Sequence, residues 1–171
     1  MLRRFLPDQY VRSIFEINPE SLKEKGIKGV ITDLDNTLVA WNEAHATPMV
    51  LSWFNRMEEE GIDVTIISNN KKARVELFSQ PLNKPYIHKA RKPLKRAFVK
   101  AAKDMGLPRK EIVVIGDQLL TDIFGGNRAG FQTILVVPIV ETDEKITQFN
   151  RKIERYILNR LKRKGLIKWE V

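Results

Sequence analysis

The sequence predicts a doubly wound α/β fold, a Rossmann-like three-layer sandwich around a mainly parallel sheet. Two observations carry that expectation. Four short, β-branched and nearly continuous apolar runs alternate with helical patterns, as strands covered on both faces by crossover helices do. Three of those runs end in polar clusters, Asp33/Asp35, Ser68/Asn69 and Asp117. Open α/β sheets bind their ligands beyond the carboxyl ends of the strands.

The elements follow in order. Strands are expected at 29–35 (GVITDLD), 63–70 (DVTIISNN), 111–118 (EIVVIGDQ) and 132–138 (QTILVVP). A helix over 47–61 has Thr47 as N-cap, Pro48 in its first turn and Gly61 as terminator. In 93–106, Leu94, Ala97, Phe98, Ala101, Ala102 and Met105 recur at helical spacing before Gly106. The segment 119–130 reads as a weaker helix, loosened by Gly125 and Gly126. Helical extensions are expected at both termini. No repeat or low-complexity linker interrupts the chain, so residues 1–171 read as one domain, with its core at about 28–138 and a basic amphipathic extension at about 143–171.

Composition narrows the classes. No apolar stretch approaches the roughly 20 residues that span a bilayer, and the start, MLRRFLPDQYV, lacks the apolar core and cleavage site of a secretory signal. The absence of cysteine excludes disulfides and thiolate metal sites and fits a cytoplasmic protein. The net charge of +9 is concentrated. Residues 84–110 carry ten Lys/Arg against Asp104 alone, and 143–171 carry nine basic residues against four acidic ones. Each block reads either as an anion-recognising surface or as a solvated helix face.

The pair Asp33 and Asp35 poses the chemical question, because two neighbouring carboxylates repel and disfavour each other's ionised form. A hard cation such as Mg²⁺ and a nearby lysine would resolve that conflict. Phosphate monoesters are among the slowest bonds to hydrolyse, and enzymes acting on them supply rate factors of up to about 10²¹. Such an enzyme needs a nucleophile, a proton donor and fixed positive charge. Asp33 is the candidate nucleophile and Asp35 the candidate acid and base. Lys92 and Ser68, with Asn69 and Thr37, are the candidate phosphate-binding residues, and Thr37 also steadies the turn after the first strand. Asp33, Asp117 and the backbone carbonyl of Asp35 are the candidate metal ligands. Asp122 would support the metal's water shell or orient the lysine. Trp41 would line the site's mouth or pack, while His45 and His88 are too isolated to form a metal cluster.

Taken singly these signals are weak; in this order they are specific. DLDNTL, IISNN, RKP and GDQLLTD resemble the four motifs of the haloacid dehalogenase (HAD) superfamily, of the phosphatase type, over roughly residues 28–138. The resemblance implies an Mg²⁺-dependent phosphoric monoester hydrolase working through an aspartyl-phosphate. The dehalogenases of that superfamily lack the second aspartate, so Asp35 points to phosphoryl chemistry. Only 32 residues lie between Asp35 and Ser68, which leaves no room for an inserted cap and resembles the capless subclass IIIA. A response-regulator receiver domain is excluded by the DxDxT order.

The flanking segments, FLPDQYVRSIFEINPESLKEKG and DLDNTLVAW, resemble a narrower bacterial group, the YqeG-type phosphatases, similar to phosphatidylglycerophosphate phosphatases. That implies phosphatidylglycerophosphate as substrate and a role in phospholipid metabolism. In 146–161, Ile146, Phe149, Ile153, Tyr156, Ile157 and Leu161 share a helical face, with Arg151, Lys152, Arg155 and Arg160 off it and Trp169 beyond. Such a helix either lies on an anionic membrane, which would place the protein peripherally at the inner face, or packs on the domain. Two further readings remain open: a phosphatase of nucleic-acid ends, nucleotides or another soluble phosphate, and a non-catalytic basic binding module. The sequence leaves the oligomeric state open.

Overall fold

Six parallel strands form one sheet in the computed structural model, which describes residues 2–140 and 145–167, without the side chains of 145–149. The strands are β1 (Gln9–Val11), β2 (Gly29–Thr32), β3 (Asp63–Ile67), β4 (Tyr86–Ile87), β5 (Ile112–Gly116) and β6 (Gln132–Val136). Their order is β1-β6-β5-β2-β3-β4. The helices are α1 (Pro19–Glu24), α2 (Pro48–Glu59), α3 (Lys72–Ser79), α4 (Lys95–Met105), α5 (Phe124–Ala129) and α6 (Lys145–Arg163). This is the expected α/β sandwich.

Successive strand residues point to opposite faces, so each strand feeds two cores. Val30, Ile66, Val113 and Ile115 pack with Trp53, Phe54 and Met57 of α2 and Val75 and Phe78 of α3. Ile31, Ile67, Ile112 and Val114 pack with Ala97, Phe98, Ala101 and Ala102 of α4. Strands buried on both faces need apolar residues at every position, which explains the continuous runs.

The helix boundaries follow local chemistry. Thr47 caps α2 by accepting from Val50 N–H at 3.3 Å, and Gly106 ends α4 at φ 68°. The weak helix is a π-helical turn, Leu119–Ile123, running into α5. Gly125 and Gly126 act there by close packing. A Cβ on Gly125 would sit 2.8 Å from the Phe98 ring, and one on Gly126 2.8 Å from Thr133 Cγ2.

The N-terminal extension is helical at Leu2–Phe5, Ile14–Glu16 and α1, and it also lends edge strand β1 to β6. At the other end, Ile157 and Leu161 of α6 are buried with Leu119, Ile123 and Leu135. That settles part of the apolar face in favour of packing. Ile153 and Tyr156 are exposed. The side chains of Ile146 and Phe149, and Trp169, lie outside the described residues. Among the described residues no helix is long and apolar enough to cross a membrane.

Candidate active site

Strand order reverses at β2: β3 and β4 extend the sheet on one side, and β5, β6 and β1 on the other. At such a switch point the loops leaving two adjacent strands part and open a crevice. Asp33 sits there, just past β2, its N–H donating to Ile115 O at 2.9 Å. The chain then turns at Asn36, whose φ of 63° lies in the left-handed region that asparagine tolerates. Asn36 Oδ1 accepts from Trp41 N–H at 3.2 Å.

Lys92 reaches Asp33 from the loop after β4. Its Nζ lies 2.7 Å from Asp33 Oδ1 and 2.7 Å from Asp122 Oδ1, and all three residues are buried. Burial works to lower the lysine's pKa, but the carboxylates of Asp122 and Asp33 outweigh it, and the net shift is upward. The two carboxylates thus favour the charged form of Lys92. Asp33 is pushed well above the usual carboxylate range by burial and by Asp122, Asp117 and Asp35, with Lys92 opposing.

Asn69 and Thr37, the other expected phosphate-binding residues, each hold a neighbour in the site. The Asn69 side chain accepts from Lys92 N–H at 2.7 Å and donates to Lys92 O at 3.2 Å, which ties the second motif to the lysine's backbone. The Thr37 hydroxyl donates to Asp117 Oδ1 at 3.0 Å. Ser68 is buried, with Oγ accepting from Asn70 N–H at 3.0 Å, and its hydroxyl proton can serve an anion.

Asp35 points toward α3. Arg74 donates to its Oδ1 from Nε at 3.1 Å and Nη2 at 3.0 Å, and Asn70 donates to Oδ2 at 3.1 Å. Asp117 follows β5, its pKa raised by burial against the opposing charge of Arg151. Arg151, from α6, pairs with Asp117 Oδ2 and donates to Asp117 O at 2.9 Å.

Asp33, Asp117 and Asp122 each offer a carboxylate oxygen, and these oxygens lie within 4.8 Å of one another. Buried, all-oxygen and acidic, the set fits a hard divalent cation such as Mg²⁺. His45 is exposed and His88 half-buried, and neither joins a metal-holding cluster among the described residues.

A family model described as HAD-hydrolase-like matches residues 89–163. Over 171 residues, 99% of each chain, the sequence is 58% identical to the probable phosphatase YqeG of Bacillus subtilis (strain 168). The chain belongs to the HAD superfamily of phosphatases. It is also 32% identical, over 94% of its length, to phosphatidylglycerophosphate phosphatase 1, chloroplastic/mitochondrial, of Arabidopsis thaliana, of which it spans 49%. Among solved structures it resembles the 3-deoxy-D-manno-octulosonate 8-phosphate phosphatase from Moraxella catarrhalis, solved with magnesium, phosphate and KDO. The TM-score is 0.50 at 21% identity, covering 58% of this chain and 63% of that one, a likeness of fold.

This HAD phosphatase carries site residues that the sequence did not announce. Arg74 and Asn70 hold Asp35, and Arg151 with Glu154 approaches Asp117 from α6. Asn70 adjoins Ser68 and Asn69 in the second motif, which was its one available signal.

Proposed function

We propose that the enzyme hydrolyses a phosphate monoester through an aspartyl-phosphate at Asp33, with Mg²⁺ as its metal and phosphatidylglycerophosphate as its substrate. The observation that carries the chemistry is the buried ammonium of Lys92, 2.7 Å from both Asp33 and Asp122. It fixes one oxygen of the nucleophile and puts positive charge where the phosphoryl group arrives, an electrostatic contribution needing no rearrangement during reaction.

A carboxylate oxygen of Asp33 attacks phosphorus, and the bond from phosphorus to the leaving alkoxide breaks. Asp35 gives that alkoxide a proton. Asp35 then takes a proton from water as the water oxygen attacks phosphorus, releasing inorganic phosphate and the Asp33 carboxylate. Ser68 holds a phosphoryl oxygen. Mg²⁺, held by Asp33, Asp117 and the backbone carbonyl of Asp35 with Asp122 beside it, would supply charge neutralisation for the acidic cluster and the phosphate.

Relatives and rim support the lipid substrate. The Arabidopsis relative bears that name, as does a protein of Chlamydomonas reinhardtii that is 26% identical over 88% of this chain. The interval between Asp35 and Ser68 is filled by α2 and β3, without a cap. Lys89 donates its N–H to Asn70 O and Ile139 donates its to Asn36 O, and both side chains are exposed. An exposed cation and an exposed apolar side chain beside the motif loops suit an anionic lipid surface, and we place the enzyme in the cytoplasm with peripheral contact at the inner face of the membrane.

Phosphate release with Mg²⁺ from phosphatidylglycerophosphate in mixed micelles, beside soluble phosphates and a phosphorylated oligonucleotide, tests the assignment. A large preference for the lipid is expected. Turnover of the oligonucleotide or a soluble phosphate with the lipid untouched would overturn the substrate while leaving the chemistry in place.

A further inference from the structure

We propose that Arg151 is the resting counter-ion of the metal site, and that Mg²⁺ binds by displacing its guanidinium from Asp117. The inference rests on the metal reading above and concerns how α6 regulates that site.

Both carboxylate oxygens of Asp117 are engaged. Oδ1 accepts from the Thr37 hydroxyl at 3.0 Å, and Oδ2 pairs with Arg151 Nη2. Thr37 is neutral and belongs to the turn after β2. Arg151 is a cation delivered by a separate helix, and its placement is built. Nη1 also donates to Asp117 O at 2.9 Å and to Glu154 Oε2 at 3.2 Å, while Glu154 Oε1 accepts from Leu120 N–H at 2.9 Å. Glu154 thus ties the arginine to the π-helical turn that follows Asp117.

Charge gives the arrangement its meaning. Asp33, Asp117 and Asp122 converge in a buried site, where the low dielectric magnifies both attraction and repulsion. Lys92 serves Asp33 and Asp122; Asp117 has Arg151. A dication on Asp117 would stand beside that guanidinium, so each cation weakens the other's hold. Glu154, three residues on, is buried and hydrogen-bonded, and the buried apolar anchors Ile157 and Leu161 lie further along α6, so the turn that carries Arg151 is where the helix would loosen when the guanidinium leaves Asp117.

Calorimetric titration of Mg²⁺ into metal-stripped wild type, Arg151→Gln and Arg151→Lys tests this. Arg151→Gln should bind Mg²⁺ about tenfold more tightly or better, the size of an ordinary coupling between two ligands, and Arg151→Lys should fall between it and wild type. Equal or weaker binding by Arg151→Gln would overturn the proposal while the metal reading stands. Wild type that binds no Mg²⁺, yet turns over without it, would overturn both. Hydrogen exchange on wild type needs no variant: Mg²⁺ should speed exchange in the first turns of α6, and protection or no change there would contradict displacement.

Discussion

Arg74 shows how much of this site is decided by single hydrogen bonds. Two of its nitrogens grip one oxygen of Asp35 while Asn70 holds the other, so the proposed acid and base has a fixed direction. A lysine cannot reproduce that fork. Arg74→Lys should therefore lower kcat by up to about 10²-fold, the cost of an ångström-scale misplacement, with KM little changed; steady-state kinetics check the split. An unaltered kcat would remove Arg74 from the mechanism. The same scale shows what the sequence could convey. Asp33, Asp35, Ser68, Lys92, Asp117 and Asp122 stand out because each follows an apolar strand or lies in a short motif beside one. Thr37 and Asn69 stand in the region expected of them, while their partners Asp117 and Lys92 were not legible, since local sequence does not say which buried group a hydroxyl or amide will meet. Arg74 and Arg151 lie 39 and 34 positions from the carboxylates they hold. Nothing distinguishes them among 30 Lys and Arg residues until the chain is folded.

At the scale of elements, the lysine's position depends on how closely α5 approaches its loop. Gly125 lets α5 lie against Phe98 and Pro93, the residue after Lys92; an added Cβ would come within 2.8 Å of the ring and 3.1 Å of Pro93 Cα. Gly125→Ala gains helix propensity, yet overpacking of this kind costs about 1–3 kcal/mol. Chemical denaturation should show net destabilisation, and activity should fall further than stability alone explains. A more stable, fully active variant would contradict this reading of the contact. Glycine in a helical pattern was legible only as weakness, because the neighbour that requires it is distant in sequence. The four long strands were legible from their unbroken apolar runs. β1 and β4, of three and two residues, are too short to show a period, and the sheet's own edges recruit them.

For the molecule as a whole, charge is sorted by depth. On α4, Lys95, Arg96, Lys100 and Lys103 face solvent while Lys92, just before it, is buried. The basic block therefore contains both a solvated helix face and one buried cation at the site. Glu154 is a buried charge on α6, raised from 4.5 to about 7 by burial, with Leu120 N–H and Arg151 opposing. A carboxyl whose folded pKa exceeds its unfolded one binds more protons folded, so its contribution to stability falls as pH rises from 4.5 to 7. Glu154→Gln should flatten the pH dependence of Tm across that window; an unchanged slope would show that Glu154 is not its source. The central claim, that Asp33 carries the phosphoryl group, is tested most directly by trapping it. The enzyme would be acid-quenched during turnover of phosphatidylglycerophosphate, digested and read by mass spectrometry, with Asp33→Asn beside it. The account predicts one phosphoryl group on the peptide at Asp33 and none, with no turnover, in the variant. Turnover by Asp33→Asn, or a phosphoryl group trapped on another residue, would contradict it.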